Sequence, residues 1–368
     1  MNPRILLVTG DWPPGLSGVG DYAARLATSL QTGGTHVSVL TTDRPGLQQL
    51  PGIDLLTTPD WKLRRAPALR KLLVGFDLVH VQYPAIDYGR SPLINLLPLL
   101  CGGARSLVTI HDFRVMRRRW RARTLPMLLA ADALACVDRD DVPAIRHWCR
   151  RTASCLPIAS NIDPVPTTSA QAEALRRELK ITDGEFVFAY FGIIYPHKGL
   201  PELIDAVDLL RRLFEVRLLV IGDFDREAPW REGVTWARGA DAARVSRLLQ
   251  TADAAALPFH TGAASNRSSL LAAMVHGLPT VTTAGPATPS QFDNDFPVLL
   301  VPPQDTAALT AALRRLVEDE ALRAQLAQAA TARGARLSLQ AVAAQHADLY
   351  EQCLTRPAAM KGATREGA

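Results

Sequence analysis

Basic side chains, hydroxyls and glycines that suit a bound diphosphate occur where predicted strands end and helices begin. In the segment GLSGVG, glycines 15, 18 and 20 let backbone amides approach an anion, and the following helix N-terminus adds a favourable partial charge. The spacing differs from the dinucleotide-binding fingerprint, and Pro13 and Pro14 lengthen the loop. We therefore expect either a phosphate-binding loop, contacted through Gly18 and Val19, or a glycine-rich turn without a ligand.

A second group of polar residues surrounds the start of a predicted helix in the segment SNRSSLLAAMVHGLP. Ser265 or Asn266 can cap this helix, which ends at Gly277 before a proline. First-turn amides, two hydroxyls and a guanidinium at a positive helix end suit a diphosphate. The alternative is an ordinary capped helix with an incidental surface arginine. The predicted contacts are Asn266, Arg267, Ser268, Ser269 and Leu270.

Two further groups follow predicted strands directly. Lys198 stands between a strand ending at Gly192 and a helix, so its ammonium can reach the edge of a sheet; a solvated surface lysine is the alternative. His111, in LVTIHDF, also ends a strand, where it can orient a sugar or move a proton, although a lone histidine is more often structural. Gly192, Gly222 and Pro258 lie at or near the ends of strands in the same way and are candidate donor contacts.

Short apolar runs alternate with helix-period segments throughout the 368 residues, as in parallel sheets built from βαβ units. We predict an α/β protein with two doubly wound Rossmann-like domains facing a central cleft. The predicted strands cover 5–10, 36–42, 78–83, 106–112, 133–138, 154–159, 186–192, 216–222, 254–259, 280–283 and 298–301. The predicted divisions are an N-terminal domain (1–163), a C-terminal ligand-binding domain (164–337), a helix packing back across the linker (338–355) and a disordered tail (356–368).

Composition and charge exclude several classes of protein. Hydrophobic residues make up 48% and charged residues 21%, as in an ordinary globular protein. Five widely spaced cysteines argue against a zinc site or a disulfide framework and for a reducing cytosol. We recognise no signal peptide or membrane-spanning run, so we expect a cytoplasmic protein. Residues 1–165 carry 20 Lys and Arg against 13 Asp and no Glu, which indicates an anionic partner for this half.

Two basic clusters beside tryptophans lie in this first half. One surrounds Trp120 and the other follows Trp61. Arginines beside an interfacial tryptophan suit anionic lipid headgroups or a polyprenyl diphosphate, and a solvated basic surface is the alternative. No nucleic-acid-binding module accompanies the charge, so we expect no nucleic-acid partner. We predict an acceptor or membrane side, peripheral on the inner face of the membrane, that includes Tyr83, Arg117, Arg118 and Trp120.

Taken in order, these segments resemble the GT-B-fold glycosyltransferases of family 4 over nearly the whole chain. The resemblance is carried by PPGLSGVGDYAARLATSL, DLVHVQYP, TIHDF and SNID in the first half, and by FGIIYPHKGLPELIDA, LLVIGDF, ADAAALPF and LLAAMVHGLPTVTT in the second. It implies transfer of a sugar from a nucleoside-diphosphate sugar to a sugar, glycolipid or small-molecule acceptor. The family generally retains anomeric configuration and uses no metal, so the resemblance implies no cofactor.

The resemblance also implies roles for individual residues. Gly18 and its neighbours would contact the donor phosphates, Lys198 would neutralise the leaving diphosphate, and His111 would touch the donor sugar.

Two departures from the family pattern concern charged side chains. Ile193 stands where the family usually has an arginine, and Ala264 and Ala272 stand where it usually has two glutamates. We hypothesise that Arg267 supplies the missing cation. The absent glutamates keep alternatives open: a non-catalytic or partner-dependent nucleotide-sugar-binding subunit, or a GT-B-fold sugar-nucleotide epimerase or phosphorylase.

Overall fold

The chain folds into two compact units. The computed structural model describes residues 3–15, 17–84, 86–111, 113–114, 116–192, 194–222, 231–290, 292 and 296–355; Ile193 and the predicted tail over 356–368 lie outside them. Unit one comprises the described residues up to Pro157 and from Val342 onward, and unit two comprises those from Ile158 to Ala341.

Unit one is built on a seven-stranded sheet in which all neighbouring strands run parallel, in the order β3-β2-β1-β4-β5-β6-β7. The strands are β1 (Ile5–Val8), β2 (Val37–Thr42), β3 (Asp54–Thr58), β4 (Leu78–Tyr83), β5 (Arg105–Ile110), β6 (Ala133–Cys136) and β7 (Ser154–Cys155). The helices between them are α1 (Gly18–Thr32), α2 (Ala66–Leu73), α3 (Pro92–Leu100), α4 (Arg118–Ala130) and α5 (Asp141–Cys149).

Unit two is built on a six-stranded parallel sheet in the order β10-β9-β8-β11-β12-β13. Its strands are β8 (Phe186–Phe191), β9 (Val216–Ile221), β10 (Val234–Ala237), β11 (Ala254–Leu257), β12 (Thr280–Thr283) and β13 (Val298–Val301). Its helices are α6 (Ser169–Glu178), α7 (Leu200–Leu210), α8 (Ala242–Leu249), α9 (Ser268–Val275), α10 (Thr306–Glu318) and α11 (Glu320–Ala335).

The alternation of side chains along β8 shows why its apolar run forms a buried parallel strand. Val187 and Ala189 pack into one hydrophobic cluster, whereas Phe188 and Tyr190 pack into another. Because successive side chains of a strand point to opposite faces, both faces of this sheet are covered. The predicted α/β class of two doubly wound, Rossmann-like sheets is confirmed.

Both sheets reverse their strand order at one point. This switch point lies between β1 and β4 in unit one and between β8 and β11 in unit two. Ligands of open parallel sheets bind beyond the carboxyl ends of the strands at such a point. The segments that follow β8 and β11 contain Lys198 and Arg267 respectively, so the topology places both on the ligand-binding edge of unit two.

Two strands were not predicted. β3 and β10 each lie at the edge of a sheet, and their side chains are mostly half-buried or exposed. Edge strands need no continuous apolar run, so the pattern that identifies central strands is absent. The strand predicted over 154–159 is shorter in the structure, because residues from Ile158 onward belong to unit two.

The last helix, α12 (Leu339–Thr355), adds its residues from Val342 onward to unit one. Its buried side chains recur at helical spacing, which gives the helix one continuous packed face. They are Val342, Ala343, His346, Leu349, Tyr350 and Cys353. No helix among the described residues is both long and apolar enough to cross a membrane.

Candidate functional site

Two glycines bring groups close together at the carboxyl end of β8. Gly192 follows β8 with a φ of 134°, and Gly222 follows the neighbouring β9 with a φ of 152°. A β-carbon on Gly222 would collide with the carbonyl oxygen of Gly192. A β-carbon on Gly192 would lie 3.2 Å from Nζ of Lys198 and 3.8 Å from Cβ of Ser269. These four predicted site residues therefore meet in one small volume at the switch point of unit two.

The backbone around Lys198 holds this lysine in place. The residue ends a short 3₁₀ turn, and its amide donates to the carbonyl oxygen of Tyr195 at 3.0 Å. The next residue, Gly199, has a φ of 73°, and a β-carbon there would collide with the carbonyl oxygen of Pro258. Only glycine fits this position. Pro258, a predicted ligand contact, thus packs its carbonyl group against the loop that carries the lysine.

Burial and charge both act on the Lys198 ammonium. The side chain is half-buried, and this burial lowers its pKa. The positive charge of Arg267 lowers the pKa of Lys198 further. Two neighbouring cations repel each other, and an anion bound between them would relieve that repulsion. The pair is therefore suited to a diphosphate.

Two contacts hold the guanidinium of Arg267. Its Cζ lies 4.9 Å from the ring centroid of Phe259, within the range of a cation–π interaction. Its Nη2 donates to Oγ1 of Thr261 at 2.7 Å. Both partners belong to the segment that follows β11, so the arginine is held at the carboxyl edge of the sheet.

The helix α9 begins at Ser268, and neither Ser265 nor Asn266, the two predicted caps, occupies its N-cap position. Arg267 occupies the N-cap position without a side-chain capping bond, whereas Ser265 and Asn266 form a turn before it. The Arg267 amide donates to the carbonyl oxygen of Ala264 at 3.1 Å, which ties the turn to the loop. Serine and asparagine favour the N-cap position in general, but here both residues precede it.

The first turn of α9 presents backbone amides that have no acceptor within the helix. They belong to Ser268, Ser269 and Leu270. Ser268 is exposed, whereas Ser269 is buried beside Gly192. The Leu270 side chain is fully buried in the core, so only its amide is suited to ligand contact.

The two alanines that replace the family's glutamates offer no polar side chain. Ala264 is buried in the loop before α9, and Ala272 is fully buried within that helix. The cationic groups of this edge are therefore present without the two carboxylates that the resemblance would place beside them.

The glycine loop of unit one has a different electrostatic character from the one predicted. Gly18 and Val19 open α1, whose N-cap Ser17 accepts from the Gly20 amide at 3.2 Å and donates to Oδ2 of Asp87 at 2.6 Å. A carboxylate therefore already lies at this helix end.

Further carboxylates surround the same loop. Burial raises the pKa of Asp21 and of Asp87, and the negative charge of Asp11 contributes to both shifts. Asp11 itself pairs with Arg44 at 2.7 Å. This acidic surrounding makes Gly18 and Val19 less suited to a phosphate than their glycine-rich sequence indicates. Among the described residues, no cluster of three or more His, Cys, Asp or Glu is arranged to hold a metal ion.

His111 follows β5 and is buried, with only 4% of its surface exposed. Its Nε2 lies 2.7 Å from Oε1 of Gln82 on the neighbouring β4. Burial, and to a smaller extent the neighbouring His346, lower the pKa of His111 to about 4, so the ring is neutral at physiological pH. Sequence reasoning missed Gln82, although two polar residues alternate with valine in the buried run LVHVQY.

The structure separates Tyr83 from the other residues of the predicted acceptor or membrane side. Tyr83 is 1% exposed, and Nδ2 of Asn95 donates to its hydroxyl at 3.0 Å. The assignment of Tyr83 to a contact surface is therefore not supported, because alternation along β4 turns it into the core. Trp61 is likewise buried.

Arg117, Arg118 and Trp120 lie together at the start of α4. Both arginines are exposed, and Trp120 is half-buried. The guanidinium carbons of three other arginines lie 5.2 to 5.8 Å from the Trp120 ring centroid. They belong to Arg90, Arg119 and Arg123. The predicted crowding of arginines around this tryptophan is present in the structure.

Residues 171–333, which lie within unit two, match the family model for glycosyl transferases group 1. A search of curated proteins finds no match to the chain.

Solved structures with the same fold cover nearly the whole chain. A glycosyltransferase from Rickettsia africae has a TM-score of 0.79 at 14% identity, over 97% of this chain and 100% of that one. HepE from Anabaena in complex with UDP has a TM-score of 0.73 at 15% identity, over 96% and 100%. Sucrose-phosphate synthase from Thermosynechococcus elongatus has a TM-score of 0.70 at 20% identity, over 95% and 99%. These similarities show that the chain has the GT-B fold.

Proposed function

We propose that this protein belongs to the glycosyl transferases group 1 family and transfers a sugar from a nucleoside-diphosphate sugar to an acceptor hydroxyl. Unit two, which carries the family match, binds the donor. The single observation that supports this best is the meeting of Lys198, Ser269 and Gly192 at the switch point, with Arg267 close enough to lower the lysine pKa. The UDP bound by the similarly folded HepE makes UDP-sugars the first donors to test.

The proposed mechanism is electrostatic. The bond between the anomeric carbon and the diphosphate oxygen breaks, and the acceptor oxygen bonds to that carbon and loses its proton. Negative charge then accumulates on the leaving diphosphate, where Lys198, Arg267 and the α9 amides stabilise it. Because Lys198 and Arg267 repel each other, their stabilising interaction with the diphosphate is strongest when the negative charge on it is greatest.

Two finer features of the reaction belong to the same proposal. We infer that Lys198 and Arg267 supply the charge neutralisation, so that transfer needs no metal or other cofactor. We also infer retention of anomeric configuration, as the family resemblance implies. Gly222, Pro258 and Asn266 complete the donor side through backbone and loop positions, and Gly18, Val19 and His111 are the proposed contributions of unit one.

We infer that unit one carries the acceptor side, for a sugar, glycolipid or small-molecule acceptor. Arg117, Arg118 and Arg119 crowd the positive end of the α4 dipole, and the first turn of α4 holds no acidic residue. Positive side chains at the positive end of a helix dipole repel it, and a bound external anion would offset this repulsion. Leu129, further along α4, is 59% exposed. Together these features support peripheral binding to an anionic membrane surface in the cytoplasm, and not to nucleic acid.

A second candidate function rests on Ala264 and Ala272. Without the two carboxylates, unit two would be a nucleotide-sugar-binding subunit that needs a partner for turnover. A GT-B-fold epimerase is a third reading, since it would change the donor sugar without any acceptor.

Nucleotide release from a panel of UDP-, GDP-, ADP- and dTDP-sugars distinguishes these functions. We expect release of one nucleoside diphosphate, accelerated by an acceptor, insensitive to EDTA and lost in Lys198→Met. Donor binding without release would support the non-catalytic subunit. Conversion of the donor sugar without nucleotide release would support the epimerase. Failure to bind any donor would contradict all three.

A further inference from the structure

A chain of buried hydrogen bonds runs from the C-terminal helix of unit one to His111. The hydroxyl of Tyr350 on α12 lies 2.8 Å from Nδ1 of His80, and the other ring nitrogen of His80 lies 2.7 Å from Oγ1 of Thr109. Nε2 of Gln82 lies 3.2 Å from that same His80 nitrogen, and its Oε1 lies 2.7 Å from Nε2 of His111. All five side chains are at most 4% exposed.

The orientation of the Gln82 amide determines which ring nitrogens carry protons. An amide oxygen only accepts, so Nε2 of His111 must be protonated and must donate to Oε1. An amide nitrogen only donates, so Nε2 of His80 accepts, and the Thr109 hydroxyl must donate to it as well. The proton of His80 then resides on Nδ1, which donates to the Tyr350 hydroxyl. In this chain of hydrogen bonds, the donors of His111, Gln82 and His80 therefore all point from His111 toward Tyr350.

Burial keeps this chain uncharged. Burial lowers the pKa of His80 well below its usual value and that of His346 to about 4. A neutral imidazole has one donor and one acceptor nitrogen, so the partner of one nitrogen decides the chemistry of the other. In His111 the Gln82 bond occupies the donor, and Nδ1 remains as a hydrogen-bond acceptor.

The polar side chains also lie where apolar ones would pack at lower cost. On β4, Val79, Val81 and Tyr83 face the hydrophobic core of unit one, whereas His80 and Gln82 alternate with them on the opposite face. Buried polar groups are costly unless all are paired. The network ends at a residue that follows β5 at the carboxyl edge of the sheet, beside the switch-point strand β4.

We propose that Gln82 is a positioning residue that holds His111 with its proton on Nε2 and its acceptor on Nδ1, and that Tyr350 supports this arrangement by accepting the Nδ1 proton of His80. This inference rests on the proposed function for the claim that His111 receives a sugar or acceptor hydroxyl at Nδ1. It gives the C-terminal helix a role in the state of the site as well as in packing.

Histidine side-chain ¹⁵N chemical shifts, which distinguish the two neutral tautomers, test the proposal on the full chain without turnover. We expect the wild-type His111 ring to be in the Nε2–H form. In Tyr350→Phe, His80 loses the acceptor of its Nδ1 proton, the chain is free to reverse, and His111 should show both tautomers. Gln82→Leu, which removes the amide altogether, should show the same loss of a single tautomer.

Kinetics provide the second measurement. Both variants should lower kcat by about tenfold, equivalent to roughly 1.4 kcal/mol, because the ring is no longer held in one tautomer, while donor affinity stays within about twofold of the wild type. Val342→Ala on the same helix is the matched control: its buried side chain contributes packing but no hydrogen bond to the chain. It should lower the melting temperature and leave the His111 tautomer and kcat unchanged.

Three outcomes would overturn the inference. They are a wild-type His111 protonated on Nδ1, a Tyr350→Phe spectrum identical to the wild type, and an equal loss of kcat in Val342→Ala. A wild-type chain that releases no nucleotide would contradict the proposed function instead, and the spectra would still decide whether Tyr350 and Gln82 set the state of His111.

Discussion

The ammonium of Lys198 lies directly beside Gly192, where an added β-carbon would stand 3.2 Å from Nζ. The glycine thus makes room for the lysine at the carboxyl end of β8. Its φ of 134° is also one that other residues rarely adopt.

Gly192→Ala should therefore lower stability by about 2 kcal/mol through backbone strain. It should also weaken UDP binding by about tenfold, equivalent to roughly 1.4 kcal/mol, because Nζ is displaced. Calorimetry of unfolding and of UDP titration measures both effects. Gly184→Ala is the control, since its φ is 84° and nothing lies within 4 Å of the added carbon. Equal UDP affinity in both variants would show that Gly192 does not shape the donor site.

Arg267→Ala should weaken donor binding and turnover severely. A charge-assisted hydrogen bond to a phosphate contributes about 2 kcal/mol, or roughly thirtyfold in Kd. The same change should raise the pKa of Lys198, because the positive charge of Arg267 lowers it in the wild type. Donor titrations and NMR of the lysine side chain report the two effects.

Arg314→Ala is the matched control for Arg267. Its guanidinium also lies over a phenylalanine ring, 5.9 Å from the centroid of Phe214, and it pairs with Glu318 on the exposed face of α10. Near-normal kinetics in Arg267→Ala, no worse than in this control, would remove Arg267 from the donor site.

The buried histidines of unit one should make the protein sensitive to mild acid. The pKa of His111 and of His346 is about 4 in the folded chain, below the value of 6.5 expected when unfolded. The unfolded state then binds more protons between these values, so stability is complete above pH 6.5 and falls as the pH approaches 4. Each histidine contributes roughly 3 kcal/mol over that window.

His346→Leu should reduce this dependence. Near pH 5 the plot of the unfolding free energy against pH should be less steep in the variant, by about 1.4 kcal/mol per pH unit, which is the contribution of one proton. Denaturant unfolding at pH 7.5, 6 and 5 measures the slope. Asp141 opposes the trend, because burial raises its pKa to about 6, and Asp141→Asn is the variant that isolates this opposing contribution. An unchanged slope in His346→Leu would show that this histidine is not buried in its neutral form.

The basic end of α4 should bind anionic vesicles. Reversing charge in the double variant Arg118→Glu and Arg119→Glu should weaken sedimentation with phosphatidylglycerol vesicles by about 2 kcal/mol or more, since each basic residue contributes about 1 kcal/mol near such a surface. Binding of the wild type should fall with added salt, and neutral vesicles should bind neither protein. Absence of wild-type binding at every salt concentration would contradict the membrane proposal.

Much of the fold could be predicted because a central parallel strand has a signal in its own short stretch of sequence. The runs at β4, β12 and β13 have the predicted bounds, and each is a short segment rich in β-branched or apolar residues. The edge strands β3 and β10 escaped because half-exposed strands lack that signal. The N-cap position of Arg267 in α9 was not predicted either, since Ser265 and Asn266 fit the capping pattern better than an arginine does.

The candidate site divides along the same line. Residue type alone marked Lys198, Arg267 and Ser269 as groups for an anion, because cations, hydroxyls and helix amides keep that chemistry wherever they stand. The approach of Lys198 and Ser269 to Gly192 depends on β8 and β11 being neighbours in space although they are distant in sequence. The acidic surrounding of the glycine loop and the link from Tyr350 to His111 depend likewise on long-range packing. Periodicity and side-chain chemistry are local properties, so most elements and the kinds of functional groups could be predicted from the residues alone. Proximity, burial and protonation arise between distant segments, so they follow from the tertiary packing.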